Sequence, residues 1–356
     1  MGLFGGKKSK PVVGLDIGSS AVKAVELKKA REGYELVSVG LETLTPDTVV
    51  DGAIIDAPVV SSAIEQKIKN KNVVTSVSGH SVIIKKVSMP ALPDDELYDQ
   101  VYADAGQYIP FDIADVNLDY QVLELSPMGD QVDILLVAVK KEKILDYTSA
   151  LSQAGRIPAL VDVDAFALQN AYEFNYEPEP DTTAALLNIG ASVMNINIVR
   201  NRPPELGGGA PIFTRDVSVG GNQYTDALQK ELELTFEDAE NLKRGQAIAT
   251  VSDEQKISVL RSVSEILALE IQKTFDFFRA TASGETIHHI FVAGGSARVP
   301  GLLDMLKEEF QVAVDELDPF RRITYNPAKF SDEYIDEIKS RLAVAVGLGL
   351  RSFDLA

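Results

Sequence analysis

Asp16 and Asn188 each stand near the end of an apolar run and two residues before a glycine, in Gly14-Leu15-Asp16-Ile17-Gly18-Ser19-Ser20 and Leu187-Asn188-Ile189-Gly190-Ala191-Ser192. A strand that ends in a glycine turn lets backbone amides approach an anion closely, and the neighbouring hydroxyl adds a donor. That chemistry suits a polyphosphate. The short polar residue before each turn, Asp16 or Asn188, can hold water around a magnesium ion that bridges phosphate oxygens. One glycine loop alone is an ordinary hairpin turn. Two related loops in order predict duplicated domains facing a shared cleft, and a third glycine pair, Gly294-Gly295, follows near the C-terminus.

Periodicity supplies the elements that must hold these turns. Residues 12–17, 21–27 and 34–41 read as an antiparallel meander, followed by a helix over 58–69 and strands over 73–77 and 82–87. The run Met89-Pro90-Ala91-Leu92-Pro93 then predicts the start of a separate α-β-β-α unit. Its first helix carries Leu97, Val101, Ala105 and Tyr108 and stops at Pro110; strands over 116–125 and 132–139 and a helix over 141–153 complete it. A helix from Asp164 to Tyr172 and the linker Glu177-Pro178-Glu179-Pro180-Asp181 lead to the second half. There the order strand, glycine turn, strand, strand recurs over 184–189, 193–199 and 212–219, with a mobile tip at Gly207-Gly208-Gly209. Beyond Gly220-Gly221 the chain turns helical. Its longest helix starts at the N-cap Ser252 and carries Ile257, Leu260, Val263, Leu267, Ile271, Phe275 and Phe278 as a core stripe. A buried-type strand over 287–292 and a helix over 341–350 end the chain.

Composition narrows the function. A chain of 356 residues suits roughly two domains, and its formal charge of −19 repels nucleic acid and anionic lipid over the surface as a whole. The basic run Lys7-Lys8-Ser9-Lys10 reads as part of a solubilising tail over 1–11. No segment reaches the ~18 uninterrupted apolar residues of a membrane span, so a cytoplasmic protein is expected. Without cysteine there are no disulfides and no thiolate sites. His288 and His289 are adjacent, point to opposite faces of a strand, and have the wrong geometry to share a zinc ion.

The two turns, the helix from Asp164, the run Phe291-Val292-Ala293-Gly294-Gly295-Ser296-Ala297-Arg298 and the final helix resemble, in order, the five-part pattern of the actin, DnaK-type chaperone and sugar kinase superfamily. The resemblance implies an α/β chain with the actin-like ATPase fold, two duplicated ribonuclease-H-like domains around a nucleotide cleft. The Pro-punctuated insert is similar to the 1C subdomain of the cell-division protein FtsA. The stretches Gln107-Tyr108-Ile109-Pro110-Phe111, Leu118-Asp119-Tyr120-Gln121-Val122-Leu123 and Gly220-Gly221-Asn222-Gln223-Tyr224-Thr225, with Gly2-Leu3-Phe4, resemble the PilM family of type IV pilus assembly proteins. The implied division is a tail over 1–11, domain 1A over 12–90 and 157–180, insert 1C over 91–156, domain 2A over 181–221 and 286–340, and helical subdomain 2B over 222–285. The remaining helix, 341–356, would pack back on domain 1.

Carried over residue by residue, the resemblance implies an ATP and magnesium site. Gly18, Ser19, Ser20 and Lys23 would hold the β- and γ-phosphates, and Gly190, Ala191 and Ser192 would clamp them from the other domain. Lys23 either reaches the phosphates or faces solvent. Gly220 and Gly221 would approach phosphates and ribose. Glu240 and Lys243, one helical turn apart, either contact ribose and adenine or form an ordinary surface ion pair. Gly294, Gly295 and Ser296 match the adenosine loop, and Arg298 would lay its guanidinium on the adenine face. Asp16 and, weakly, Asn188 would bind magnesium through water. An amide at 188 has no charge to hold the ion or activate a nucleophile, so at most slow hydrolysis is expected. Asp164 either orients the attacking water or caps its helix.

The resemblance further implies an ATP-held scaffold whose 1C groove receives the extended cytoplasmic N-terminal segment of PilN. This would link it to other pilus platform and motor proteins and place it at the inner membrane through that partner. Tyr102, Tyr108, Ile109 and Phe111 are groove candidates, or else core. Homo-oligomerisation through the insert stays open. The alternatives are an FtsA-like polymerising ATPase, although no amphipathic membrane helix follows Leu350, and, behind it, a small-molecule kinase; a chaperone is the weakest.

Overall fold

The computed structural model describes residues 12–126, 128–203, 209–282 and 285–353; the tail over 1–11 and the tip residues Gly207 and Gly208 lie outside them. Strands β1 (Val13–Ile17), β2 (Ala21–Lys29) and β3 (Tyr34–Thr43) form the antiparallel meander. A short hairpin, β4 (Val49–Val50) and β5 (Ala53–Ile54), leads to helix α1 (Ala57–Lys67), whose Asp56 side chain caps the N–H of Val59. Strand β6 (Asn72–Val77) then lies parallel to β1.

Strand β7 (Val82–Pro90) departs from that sheet. With β8 (Val116–Leu125) and β9 (Gln131–Lys140) it builds a three-stranded antiparallel sheet of order β7-β9-β8, covered by α2 (Asp94–Tyr108). Val87, Met89, Leu97, Val101, Ala105, Ile134 and Leu136 form its separate core. Helix α3 (Lys141–Gln153) does not join them. Its Tyr147, Ala150 and Leu151 pack with Val60 and Ile64 of α1 over the first sheet. The insert is therefore β-α-β-β, gaining 82–90 and losing 141–153 relative to the expected 91–156. Alternation marks β7 as a strand but cannot say which sheet it joins.

Strand β10 (Ile157–Val163) extends the first sheet beyond β6, and α4 (Asp164–Asn175) carries the chain across to the second half. Strands β11 (Thr183–Ile189), β12 (Met194–Arg200) and β13 (Ala210–Val217) form a second meander. Helices α5 (Gly221–Leu232), α6 (Phe236–Lys243) and α7 (Asp253–Thr281) follow, and Ser252 with Gln255 makes a full capping box on α7. Leu260, Val263, Leu267, Ile271, Phe275 and Phe278 are buried as expected, whereas Ile257, a turn earlier, is exposed because the buried stripe begins only at Val259.

Strand β14 (His289–Ala293) pairs parallel with β11, and after α8 (Leu302–Phe310) strand β15 (Ala313–Glu316) adds at its side. The second sheet, β13-β12-β11-β14-β15, thus repeats the meander-plus-parallel plan of the first. Strand β16 (Ile323–Tyr325) returns to the first sheet beside β3, and Ile335 and Ile338 of α9 (Asp332–Ile338) pack there with Leu36. Residues from 323 onward therefore do not belong with 2A, where the sequence reading places them up to 340. A three-residue strand leaves too little pattern to signal its sheet.

Helix α10 (Ala343–Arg351) is buried all the way from Ala343 to Leu350. It lies between β1 and α4, and its first residue, Ala343, belongs to the same buried cluster as Leu186 and Phe291 of the second sheet. Contact is so close that a Cβ on Gly347 would fall 1.7 Å from the Ala167 carbonyl oxygen. Gly347→Ala is therefore expected to cost about 3 kcal/mol or prevent folding, by overpacking. Gly106→Ala, in α2 with only Ile113 within 4.0 Å of the new Cβ, should instead stabilise by ~0.5–1 kcal/mol through helix propensity. Urea unfolding of both variants checks the contrast.

Candidate functional site: a cleft between two glycine turns

The two glycine turns face each other. Ser19, at the β1–β2 turn, and Ser192, at the β11–β12 turn, share a hydrogen bond between their hydroxyls, bridging the two halves of the chain. Gly18 N–H closes the first turn on Ala21 O at 3.1 Å, and Gly190 N–H closes the second on Val193 O at 3.0 Å. Asp16 and Lys23 stand opposite one another in the β1–β2 ladder, and Lys23 Nζ donates to Asp16 Oδ2 at 2.8 Å. Lys23 is thus neither out in solvent nor unpaired; it lies under the Gly18 turn, where a Cβ would come 2.8 Å from its ammonium.

Around the second turn the chain gathers three further segments. Gly221 N–H donates to Gly190 O at 2.9 Å, Asn222 N–H to Ala191 O at 2.8 Å, and Ser296 Oγ to Gly190 O at 3.2 Å. A Cβ on Gly220 would sit 2.6 Å from Gly190 O, so only glycine permits this approach. Gly294 has φ 91° and would place a Cβ 2.3 Å from Ile189 O, which fixes the loop 294–296 against the end of β11. The structure therefore brings Gly190, Ala191, Ser192, Gly220, Gly221, Gly294 and Ser296 together, with Gly295 alongside.

Glu240 and Lys243 reach the same segments from α6. Lys243 Nζ donates to Thr225 Oγ1 at 2.9 Å, to Gly221 O at 3.2 Å and to Glu240, while Thr225 Oγ1 donates to Glu240 Oε1 at 2.5 Å. Both charged side chains are less than a fifth exposed, which rules out an ordinary surface pair. Burial lowers the Lys243 pKa against the pull of Glu240. Burial would raise the Glu240 carboxyl, but the Lys243 ammonium and the two hydrogen bonds outweigh it and hold it below the usual range.

Arg298 makes contacts that the sequence did not signal. Its Nε donates to Glu316 at 2.7 Å, and its other nitrogens reach Asp336 at 3.3 and 3.4 Å. The edges of the guanidinium thus pin the loop to β15 and α9. A second cation beside the loop is Arg341, whose side-chain stem comes within 3.7 Å of a Cβ position on Gly295. Burial, with Arg244 nearby, lowers its pKa.

Asp164 is the first residue of α4. The N-cap is Val163, and no side chain caps that helix, so the capping role drops out. Instead Ser76 Oγ donates to Asp164 Oδ1 at 2.5 Å. Burial raises the Asp164 pKa to about 6, and Asp16 adds to the rise, against hydrogen bonds from Ser76 and Ser78. Sequence reasoning missed three neighbours. Lys143 of α3 is buried and donates to Gly52 O in the β4–β5 turn. Asp216 of β13 accepts from Asn195 Nδ2 at 2.8 Å and from Gly79 N–H at 2.5 Å, and Asn195 Oδ1 accepts from Asn188 Nδ2 at 2.8 Å. A charge inside the apolar strand pattern at 216 was the one available signal.

The expected groove residues separate. Ile109 is 5% exposed and belongs to the core of the insert, because it follows α2 directly and turns inward under the three-stranded sheet. Tyr102 donates its hydroxyl to Leu118 O at 2.9 Å and stacks with Tyr98 at 4.6 Å. Tyr108 and Phe111 are partly buried against the same core, with Lys85 over Tyr108 at 5.7 Å and Lys140 over Phe111 at 4.8 Å.

Against this geometry, the family profile described as Type IV pilus assembly protein PilM matches residues 14–353. The chain belongs to the PilM family. Its fold is similar to that of a solved PilM-PilN type IV pilus biogenesis complex, with TM-score 0.84 and 27% identity, covering 96% of this chain and 98% of that one. Cell division protein FtsA of Staphylococcus epidermidis is 22% identical over 350 residues, covering 83% of this chain and 72% of FtsA. MreB 5 of Spiroplasma citri bound to AMPPNP shares the fold at TM-score 0.51 and 14% identity, covering 96% and 95%. This PilM-family chain therefore has the actin-like ATPase fold with an FtsA-like insert. Among the described residues, no helix is long and apolar enough to cross a membrane.

The raised Asp164 pKa makes a signed prediction. A carboxyl held above its ordinary value favours the folded state while protonated; that advantage is lost as pH rises through about 6. Asp164→Asn should therefore gain about 1–2 kcal/mol over the parent at pH 7.5, with the gain vanishing near pH 4. Thermal unfolding across that range measures it.

Proposed function

We propose that this protein is a nucleotide-held docking module of the type IV pilus assembly platform. One observation carries the reading: a single cleft gathers two glycine turns, a buried Lys243–Glu240 pair and the Gly294 loop, in a chain whose fold matches a PilM-PilN complex from end to end. The glycine contacts leave backbone in place of side chains around the Gly190 turn, a surface of phosphate-binding character, which fits ATP. Similar folds have been solved with AMPPNP and with ADP bound.

In this reading Gly18, Ser19, Ser20, Gly190, Ala191 and Ser192 bind phosphates from both sides, and Lys23 exchanges its Asp16 partner for phosphate oxygen. Asp16 is then released to hold water on magnesium. Gly220, Gly221, Glu240 and Lys243 orient the ribose, and Arg341 joins Arg298 as a cation beside the base. MgATP, when bound, would take the place of the Ser19–Ser192 hydrogen bond as the link between the two turns. Hydrolysis is slow: Asn188 carries no charge with which to hold the ion or activate a nucleophile, and the Asp164 carboxyl is engaged by Ser76.

The partner is the extended N-terminal cytoplasmic segment of PilN, bound at the insert and thereby holding the protein at the inner membrane. Tyr108 and Phe111, with Lys85 and Lys140 over their rings, are the groove residues; Ile109 supports them from the core. Calorimetric titration with MgATP and then with a PilN N-terminal peptide tests the reading. Both should bind, with negligible phosphate release over hours. Asp16→Ala or Lys243→Met should weaken ATP at least tenfold and spare the peptide, whereas Tyr108→Glu should do the reverse. Loss of both ligands in Tyr108→Glu would return Tyr108 to the core, and steady turnover would refute the scaffold.

A further inference from the structure

A row of side chains leads from the cleft to the insert. Asn188, Asn195 and Asp216 sit directly opposite one another on three neighbouring strands of the second sheet: Asn188 pairs with Asn195 across β11–β12, and Asn195 with Asp216 across β12–β13. Opposed residues point to the same face, so the three side chains form a line across the strands. Asn188 Nδ2 donates to Asn195 Oδ1, and Asn195 Nδ2 donates to Asp216 Oδ1, each at 2.8 Å. Asp216 Oδ2 then accepts the backbone N–H of Gly79, in the other half of the molecule, at 2.5 Å.

Gly79 is where that line meets the insert. Its carbonyl accepts from Val82 N–H at 3.0 Å, and Val82 begins β7, which pairs with β9 along its whole length. Gly79 has φ 88°, and a Cβ there would lie 2.8 Å from Asp51 O, so the turn has no slack in which to absorb a displacement. His80 Nε2 beside Ser218 Oγ at 3.1 Å marks a second contact across the same boundary. Burial raises the Asp216 carboxyl above its usual range, against the bonds from Asn195 and Gly79 that favour its charge. Asp216 thus accepts from both halves of the molecule.

Resting on the nucleotide-cleft reading above, we infer that Asn195 and Asp216 are positioning residues that transmit a ligand-driven shift of the Gly190 turn to β7 and hence to the insert's docking surface. Asn188 stands two residues before the Gly190 turn, so a ligand that replaces the Ser19–Ser192 contact and shifts that turn moves the first member of the row. Each later member is held by a bond of ordinary or short length. The carboxylate missing at Asn188 is in this way supplied two strands away, in a coupling role.

Amide hydrogen exchange over residues 82–90, with and without saturating MgATP, tests the inference in the full chain. The native protein should show at least fivefold slower exchange there with MgATP. Asn195→Ala cuts the row but leaves the Gly79–Asp216 bond, and it should lose the ATP effect while still binding ATP by calorimetry. Asp216→Ala, as a second variant should the first not fold, should do the same. Asp216→Asn should keep the effect, because flipped amides at 195 and 188 reconnect the row. An unchanged ATP effect in either alanine variant overturns the inference, as does a native protein that binds ATP without slowing 82–90. A native protein that binds no ATP overturns the cleft reading itself, and the inference with it.

Discussion

Backbone packed directly on backbone, through glycine, is the constraint on which this molecule depends. At Gly347 and Gly14 it lets α10 lie between α4 and β1 closer than any side chain would permit, with a Cβ at Gly14 falling 2.2 Å from Ala345 O. At Gly220 and Gly294 the same device presses α5 and the 294–296 loop onto the ends of the second meander. The first pair holds the helical spine that touches both sheets. The second gathers main-chain groups around the Gly190 turn, and a surface of that kind offers backbone amides to an anion without steric competition from side chains.

Charge in the cleft is balanced locally. Asp16 is answered by Lys23, Glu240 by Lys243, and Asp164 by hydroxyls with a pKa pushed up to about 6. In the proposed nucleotide-bound state a phosphate takes Lys23 from Asp16, and the carboxylate it frees becomes available to a cation. Binding in such a site exchanges partners and avoids exposing bare charge, which keeps the empty cleft stable.

The insert has a core of its own in Val87, Met89, Leu97, Val101, Ile134 and Leu136, and it is attached both by apolar packing and by polar contacts. Val82, Val137 and Val139 pack into the core of the first sheet, Gly79 bonds Asp216, and Arg202 bonds Leu123 O and Glu124. A small sheet so held keeps its own shape while its two ends are tied to both halves of the molecule. That property suits a docking surface whose position reports on the cleft behind it.

The sequence by itself determined the duplicated meanders, the glycine turns at 18, 190 and 294, the capping box at Ser252 and the buried face of α7. These are local: turn chemistry, period and capping act within a few residues. It also carried enough ordered motifs for the family to be legible. Only the tertiary structure decided that β7 leaves the first sheet for the insert while α3 returns to it, that β16 crosses to β3, that Arg298 pairs with Glu316 and Asp336, and that Ile109 lies inside. Pairing between strands far apart in the chain, and the choice of a partner by a long charged side chain, depend on what else arrives at the same place. No local pattern encodes that, and Asp216, joined to Gly79 across 137 positions, is the clearest case.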